Sequence, residues 1–97
     1  VAHDDLDLPL GKIRIRVGGN DAGHKGVRSI KELIEEPIIR VRIGIGRPDD
    51  KSDVIDFVLS SFSEEEKPAI TQAIKDAAKA VEIIVSKGVE IAQREFN

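Results

Sequence analysis

Residues 1–28, VAHDDLDLPLGKIRIRVGGNDAGHKGVR, decide how this chain is read. Val1-Ala2-His3 reads as the end of a strand. Asp4 to Gly11 has turn chemistry: Asp4, Asp5 and Asp7, then Pro9 and Gly11. Lys12 to Val17 alternates strictly, with Lys12, Arg14 and Arg16 on one face and Ile13, Ile15 and Val17 on the other. That pattern predicts a half-buried strand with a basic outer face. The glycines from Gly18 to Gly23 predict a loop, and His24 stands at its exit.

Further elements follow on the C-terminal side. Val27, Ile30, Leu33 and Ile34 fall at helical spacing, so a short helix is expected over about 25–35, stopped by Pro37. Residues 38–45 predict a second strand, with Val41, Ile43 and Ile45 alternating against Arg40, Arg42 and Gly44. Residues 46–50 read as a turn and 53–59 as a short helix. Ser63 and Glu66 have the spacing of a capping box. A long helix to about Lys87 follows, with a stripe of Ile70, Ala73, Ile74, Ala77, Ala78, Val81, Ile84 and Val85. Gly88 breaks it, and 89–96 reads as a second helical segment. Strands first and a long helix last indicate an α/β layered domain. Its sheet is thin, with two full strands and a strand end.

Ninety-seven residues make one small domain with a modest core. There is no apolar run long enough for a membrane span, no signal-peptide pattern and no cysteine. A reducing, cytoplasmic setting is expected. The first residue is Val, so a processed or truncated start is expected. Charge is unevenly spread: residues 1–48 hold nine Lys/Arg and seven Asp/Glu, residues 49–97 six and eleven. The cations of the first half are the candidates for an anionic partner.

Three groups of residues carry possible chemistry. Asp4, Asp5 and Asp7 sit where a strand meets a loop, a favoured place for sites in α/β folds. A carboxylate there can orient a histidine, or the three Asp can simply form the turn. As metal ligands they lack the Gly and bidentate Glu of a calcium loop, so no metal is expected. His24 follows a glycine-rich approach to a helix start, where amides meet anions. It can equally cap the helix or pair with a carboxylate. Arg14, Arg16, Arg40 and Arg42 share one face if their strands pair, and can grip phosphate or form a solvated surface. No aromatic residues are interleaved, which favours backbone gripping over base reading.

The motifs VAHDDLDLPLG, GHKG, RVRIGIGRP and DFVL, in this order, closely resemble the bacterial peptidyl-tRNA hydrolase family, from Val1 to about Asn97. The resemblance implies a three-layer α/β/α domain on a mixed sheet. Residues 1–97 would be its C-terminal portion, with the N-terminal half absent. It implies hydrolysis of the ester joining a peptide to the 3′ end of tRNA, without metal or other cofactor, by a family that is usually monomeric. Asp4 would be the acid that orients and stabilises the catalytic histidine. His24 and Lys25 would frame the substrate. Arg16 and Arg42 would clamp the tRNA 5′-phosphate. Lys25 stands where the family usually carries Asn, and brings a charged donor without an acceptor.

The catalytic histidine and two substrate-contacting asparagines of the family would lie upstream of Val1. The isolated chain is therefore expected to be inactive. Two other readings remain open: an RNA-binding homologue without catalysis, and a module that self-associates through its sheet edge or apolar face.

Overall fold

The computed structural model describes residues 1–19, 23–34, 36–46 and 62–97. Its strands are β1 (Ala2–Asp5), β2 (Ile13–Val17) and β3 (Ile39–Gly44). Its helices are α1 (Lys25–Leu33), α2 (Lys67–Lys87) and α3 (Val89–Phe96). The expected turn over 46–50, beyond Gly46, and the expected helix over 53–59 lie outside the described residues.

The sheet is mixed, in the order β1-β3-β2, with β1 parallel and β2 antiparallel to β3. Alternation along β2 and β3 is as the sequence predicts. Ile15 stands opposite Val41, and Ile13 opposite Ile43. Their shared face packs on α2 and α3, where the core joins Ile13, Ile15 and Val41 to Ala73, Ala77, Ala80 and Ala92. Alanines at these contacts let the helix backbones lie close to the branched strand side chains. The other face carries Arg14 opposite Arg42 and Arg16 opposite Arg40, with His3 beside Arg42. The thinnest dimension is 16 Å, about one sheet plus one layer of helix.

Three details differ from the sequence reading. β1 runs through Asp5, so Asp4 and Asp5 belong to the strand and not to the loop after it. Parallel pairing with β3 holds both in register, against Ile43 and Gly44. In α1 only Val27 is buried; Leu33, at 86% exposure, closes no core contact. In α2 the buried line is Ile70, Ala73, Ala77 and Ala80, while Ile74, Val81 and Val85 face outward. The sheet meets a narrow strip of this helix, narrower than its apolar content.

Both hydrogen bonds of the expected capping box form, but on the turn before α2, whose own N-cap is Glu66 without a side-chain cap. Ser63 N–H donates to Glu66 Oε1 (2.9 Å), and Glu66 N–H donates to Ser63 Oγ (3.3 Å). It closes the turn that leads into α2. Gly88, at φ 98°, turns the chain from α2 into α3 while its N–H bonds the carbonyls of Ile83 and Ile84.

Two local features fix the sheet. A Cβ on Gly44 would run into the Pro9 carbonyl oxygen and the Leu8 side chain, so the loop after β1 folds directly over β3 only because residue 44 has no side chain. On the outer edge of β2, Ile15 N–H donates to Asn97 Oδ1 (2.7 Å), and Asn97 Nδ2 donates to the Ile15 carbonyl (2.8 Å). Gln93 Nε2 reaches the same carbonyl at 3.3 Å. Ile15 sits in a non-hydrogen-bonded pair with Val41, so both its backbone groups point away from β3.

Candidate functional site

Asp4, His24 and His3 meet where β1 ends and α1 begins. His24 caps α1: Val27 N–H donates to its Nδ1 (3.1 Å). A ring nitrogen that accepts carries no proton, so Nδ1 is the lone-pair nitrogen. The other nitrogen, Nε2, then bears the hydrogen and donates to Asp4 Oδ1 (2.9 Å). The two plain readings of His24, as helix cap and as carboxylate partner, are thus both realised in one ring. In this arrangement the ring has no lone pair left to take a proton from water.

His3 is committed in the opposite sense. Its Nδ1 donates to the Asp4 main-chain carbonyl (2.8 Å), which leaves Nε2 as the acceptor. The ring stands edge-to-face against His24, with centroids 4.9 Å apart. Nε2 is buried and has no hydrogen-bond partner among the described residues. Burial pushes the imidazole below its ordinary value, against the bond to the Asp4 carbonyl, which pulls it up. His24 and Arg40 lower it further, and Asp5 raises it. His3 is a buried ring whose Nδ1 hydrogen is committed and whose Nε2 is enclosed.

Asp4 itself is more open. Its side chain is 43% exposed, and Oδ1 alone is engaged. Oδ2 has no partner among the described residues. The carboxylate is therefore held by one oxygen and available through the other.

Asp5 occupies the neighbouring position with a different role. Its Oδ2 accepts from Arg42 Nε (2.7 Å), and its Oδ1 accepts from Asp7 N–H (2.8 Å). Burial pushes this carboxyl up, but the Arg42 hydrogen bond, the Asp7 amide and the Arg42 charge outweigh it and hold it below the usual carboxylate range. The side chains of Arg42 and Asp5 are 15% and 6% exposed. Sequence reasoning grouped Asp5 with its neighbours and missed it. The signal was present in the period of a strand, since a β1 that runs to Asp5 puts His3 and Asp5 on the Arg42 side.

Arg16 is exposed on the same face, two positions along from the Arg14–Arg42 pair. Its guanidinium lies over Gly19, where a Cβ would come within 2.8 Å of Nε. Arg16 and Arg42 are diagonal neighbours across two strands, roughly 7–8 Å apart at the backbone. Long side chains from such positions reach a common anion. Arg40 is buried beside them and donates from Nε to the Gly18 carbonyl (3.1 Å), and Lys31 Nζ donates to Gly19 (2.7 Å). Lys25 is the first residue of α1, exposed beside the Asp4–His24 pair. Among the described residues no cluster of three or more His, Asp or Glu has the arrangement of a metal site. No described helix is long and apolar enough to cross a membrane.

The mixed sheet, with an acid–histidine pair at a strand end and cations on the face beside it, defines an α/β domain of the kind that places polar chemistry at strand termini. The family model for peptidyl-tRNA hydrolase matches residues 1–97, and the chain belongs to that family. A peptidyl-tRNA hydrolase of Kineococcus radiotolerans is 49% identical over all of this chain and 50% of its own length. That of Bacillus subtilis is 47% identical over all of this chain and 52% of its own. A crystal structure of the Acinetobacter baumannii peptidyl-tRNA hydrolase superposes with a TM-score of 0.88 at 38% identity, covering 99% of this chain and 49% of that one. The chain thus spans about half the length of the relatives it matches.

Proposed function

We propose that this chain supplies the Asp4-centred, tRNA-gripping half of a peptidyl-tRNA hydrolase site, the C-terminal portion of a single domain. The reaction is hydrolysis of the ester between a peptide and the 3′ end of tRNA. The observation that carries this reading is the state of the three groups at the end of β1. Both imidazoles have their protons fixed by other bonds, and Asp4 Oδ2 is open.

An open carboxylate oxygen beside a histidine-rich strand end suits one task. It accepts a ring N–H from a further imidazole, holds that ring in the tautomer whose other nitrogen faces water, and stabilises the imidazolium once water has given up its proton. The further imidazole would come from the part of the domain beyond this chain. His24 would hold Asp4 in place, and Lys25 would approach the peptide beside it. Arg16 and Arg42 would grip the 5′-phosphate of the tRNA, giving a binding constant that falls steeply with salt.

A general base contributes about 10²–10⁴-fold, so the chain alone should bind tRNA without measurable turnover. The test is cleavage of a peptidyl-tRNA by this chain, with Asp4→Asn as control. Salt-dependent binding without cleavage is expected. Cleavage that disappears in Asp4→Asn would mean residues 1–97 assemble a base of their own, and would overturn the assignment. RNA binding without hydrolysis as the natural role is a second reading. It draws on the exposed cation Lys25 at the start of α1, and a partner half that restores cleavage would dismiss it.

A further inference from the structure

We infer that Asp5 is a positioning residue for Arg42: it fixes the guanidinium by Nε so that the two Nη nitrogens are presented as a fork to a phosphate. The inference rests on the phosphate-gripping role proposed above for Arg42.

The geometry runs from the backbone outward. Asp5 stands opposite Gly44 in the parallel β1–β3 pair, one step beyond the His3–Arg42 pair. Its carboxylate therefore lies on the Arg42 side of the sheet. One oxygen is anchored by the Asp7 amide, which ties it to the loop after β1. The other meets Arg42 Nε at 2.7 Å. The carboxylate thus has one rigid position, and Arg42 is oriented by it.

A carboxylate that neutralised Arg42 fully would take the bidentate contact that guanidinium and carboxylate favour. Here a single nitrogen is used. No other hydrogen bond of Arg42 exists among the described residues, yet neither Nη is a buried unsatisfied atom. Both therefore touch solvent. The free edge of the guanidinium is the one whose spacing matches two phosphate oxygens. Asp5 takes the inner nitrogen and leaves that edge clear. Arg16, diagonal to Arg42 on β2, has no such anchor among the described residues and is the adjustable member of the pair.

The sign of one substitution separates positioning from charge balance. If Asp5 merely offsets the charge of Arg42, Asp5→Asn strengthens phosphate binding. If Asp5 positions the fork, Asp5→Asn weakens it, although the site becomes more positive. The experiment measures Kd for tRNA carrying a 5′-phosphate and for the same tRNA dephosphorylated, with the folded state checked by thermal melting. Wild type should prefer the phosphorylated form by about tenfold, the value of one charge-assisted contact. Asp5→Asn and Asp5→Glu should both lose most of that ratio, with little change toward dephosphorylated tRNA. A general structural loss would weaken both forms alike, and that result counts against positioning. Where Asp5→Asn does not fold, Arg42→Lys decides: a lysine held by Asp5 has no outer fork, so the ratio should collapse with the charge retained. A ratio preserved in Arg42→Lys, or raised in Asp5→Asn, overturns the proposal. No phosphate preference in wild type would instead remove the clamp, and Asp5's role with it.

Discussion

The two faces of one three-stranded sheet follow opposite rules. On the helix side, branched strand residues pack against alanines. On the other side, His3, Asp5, Arg40 and Arg42 are buried or half-buried and Arg14 and Arg16 are exposed. The first face is held by area removed from water, which tolerates any pH. The second is held by directed bonds between charges and ring nitrogens, each with a fixed donor and acceptor. The same alternation in sequence produces both, because neighbouring strand residues point to opposite sides. The first face therefore contributes stability that does not vary with pH, and the second contributes stability that does.

The strongest challenge to the first face is Ile15→Ala. Ile15 is fully enclosed, and the substitution should cost about 2–5 kcal/mol, read as a fall in the urea midpoint at constant slope. A loss below 1 kcal/mol would mean the helix layer is not the main support of the sheet.

On the second face, Arg42→Ala leaves the enclosed Asp5 carboxylate without its cation. Removing one partner of a buried pair costs up to about 3–5 kcal/mol, and the residual exposure of Arg42 puts this site toward or below the lower end. The same variant should bind tRNA more weakly, with a salt slope reduced by about 1. Unchanged binding in folded protein would remove Arg42 from the proposed grip.

His3 gives the second face its pH dependence. Its folded value lies below the ordinary 6.5, so near that pH the unfolded chain binds more protons than the folded one. The contribution is present in full above the ordinary value and is lost as pH falls through the folded one. Stability should drop from pH 7.5 to pH 5, and His3→Asn, which keeps a donor for the Asp4 carbonyl, should flatten that drop. Asp5, held below its ordinary 3.8, has the same sign in a lower window: its contribution is intact above that value and fades in stronger acid. A pH 5–7.5 profile identical in His3→Asn would assign the dependence to another group. The smallest effect is expected at Ser63→Ala, which removes one half of an exposed cap and should lower stability by about 0.5–1 kcal/mol.

The faces also differed in how far the sequence disclosed them. Residues 12–17 and 38–45 announce two strands through a period of two, and the antiparallel pairing of those strands then places four arginines on one face. Helix α2 is harder, because its apolar residues cover more than one side. Ala80 lies against the sheet while Val85, at 83% exposure, does not. Hydropathy ranks valine above alanine, but close approach of helix to sheet selects the smaller residue. The cap from His24 to Val27 is a local contact three residues along and is legible in the sequence, whereas the bond that joins His24 to Asp4 depends on a three-dimensional meeting of β1 and α1 that no local pattern encodes. Asp5 was hidden by its company, since a run of Asp near Pro9 and Gly11 has the composition of a turn.

The amide of Asn97, closed over Ile15, has a consequence for assembly. An edge strand offers a row of open backbone groups that a second chain can extend, and proteins guard such edges. Here both outward groups of Ile15 are occupied by one side chain that mimics a peptide unit. The middle of β2 is thereby sealed as a template, so continuous strand addition along that border would first have to evict Asn97.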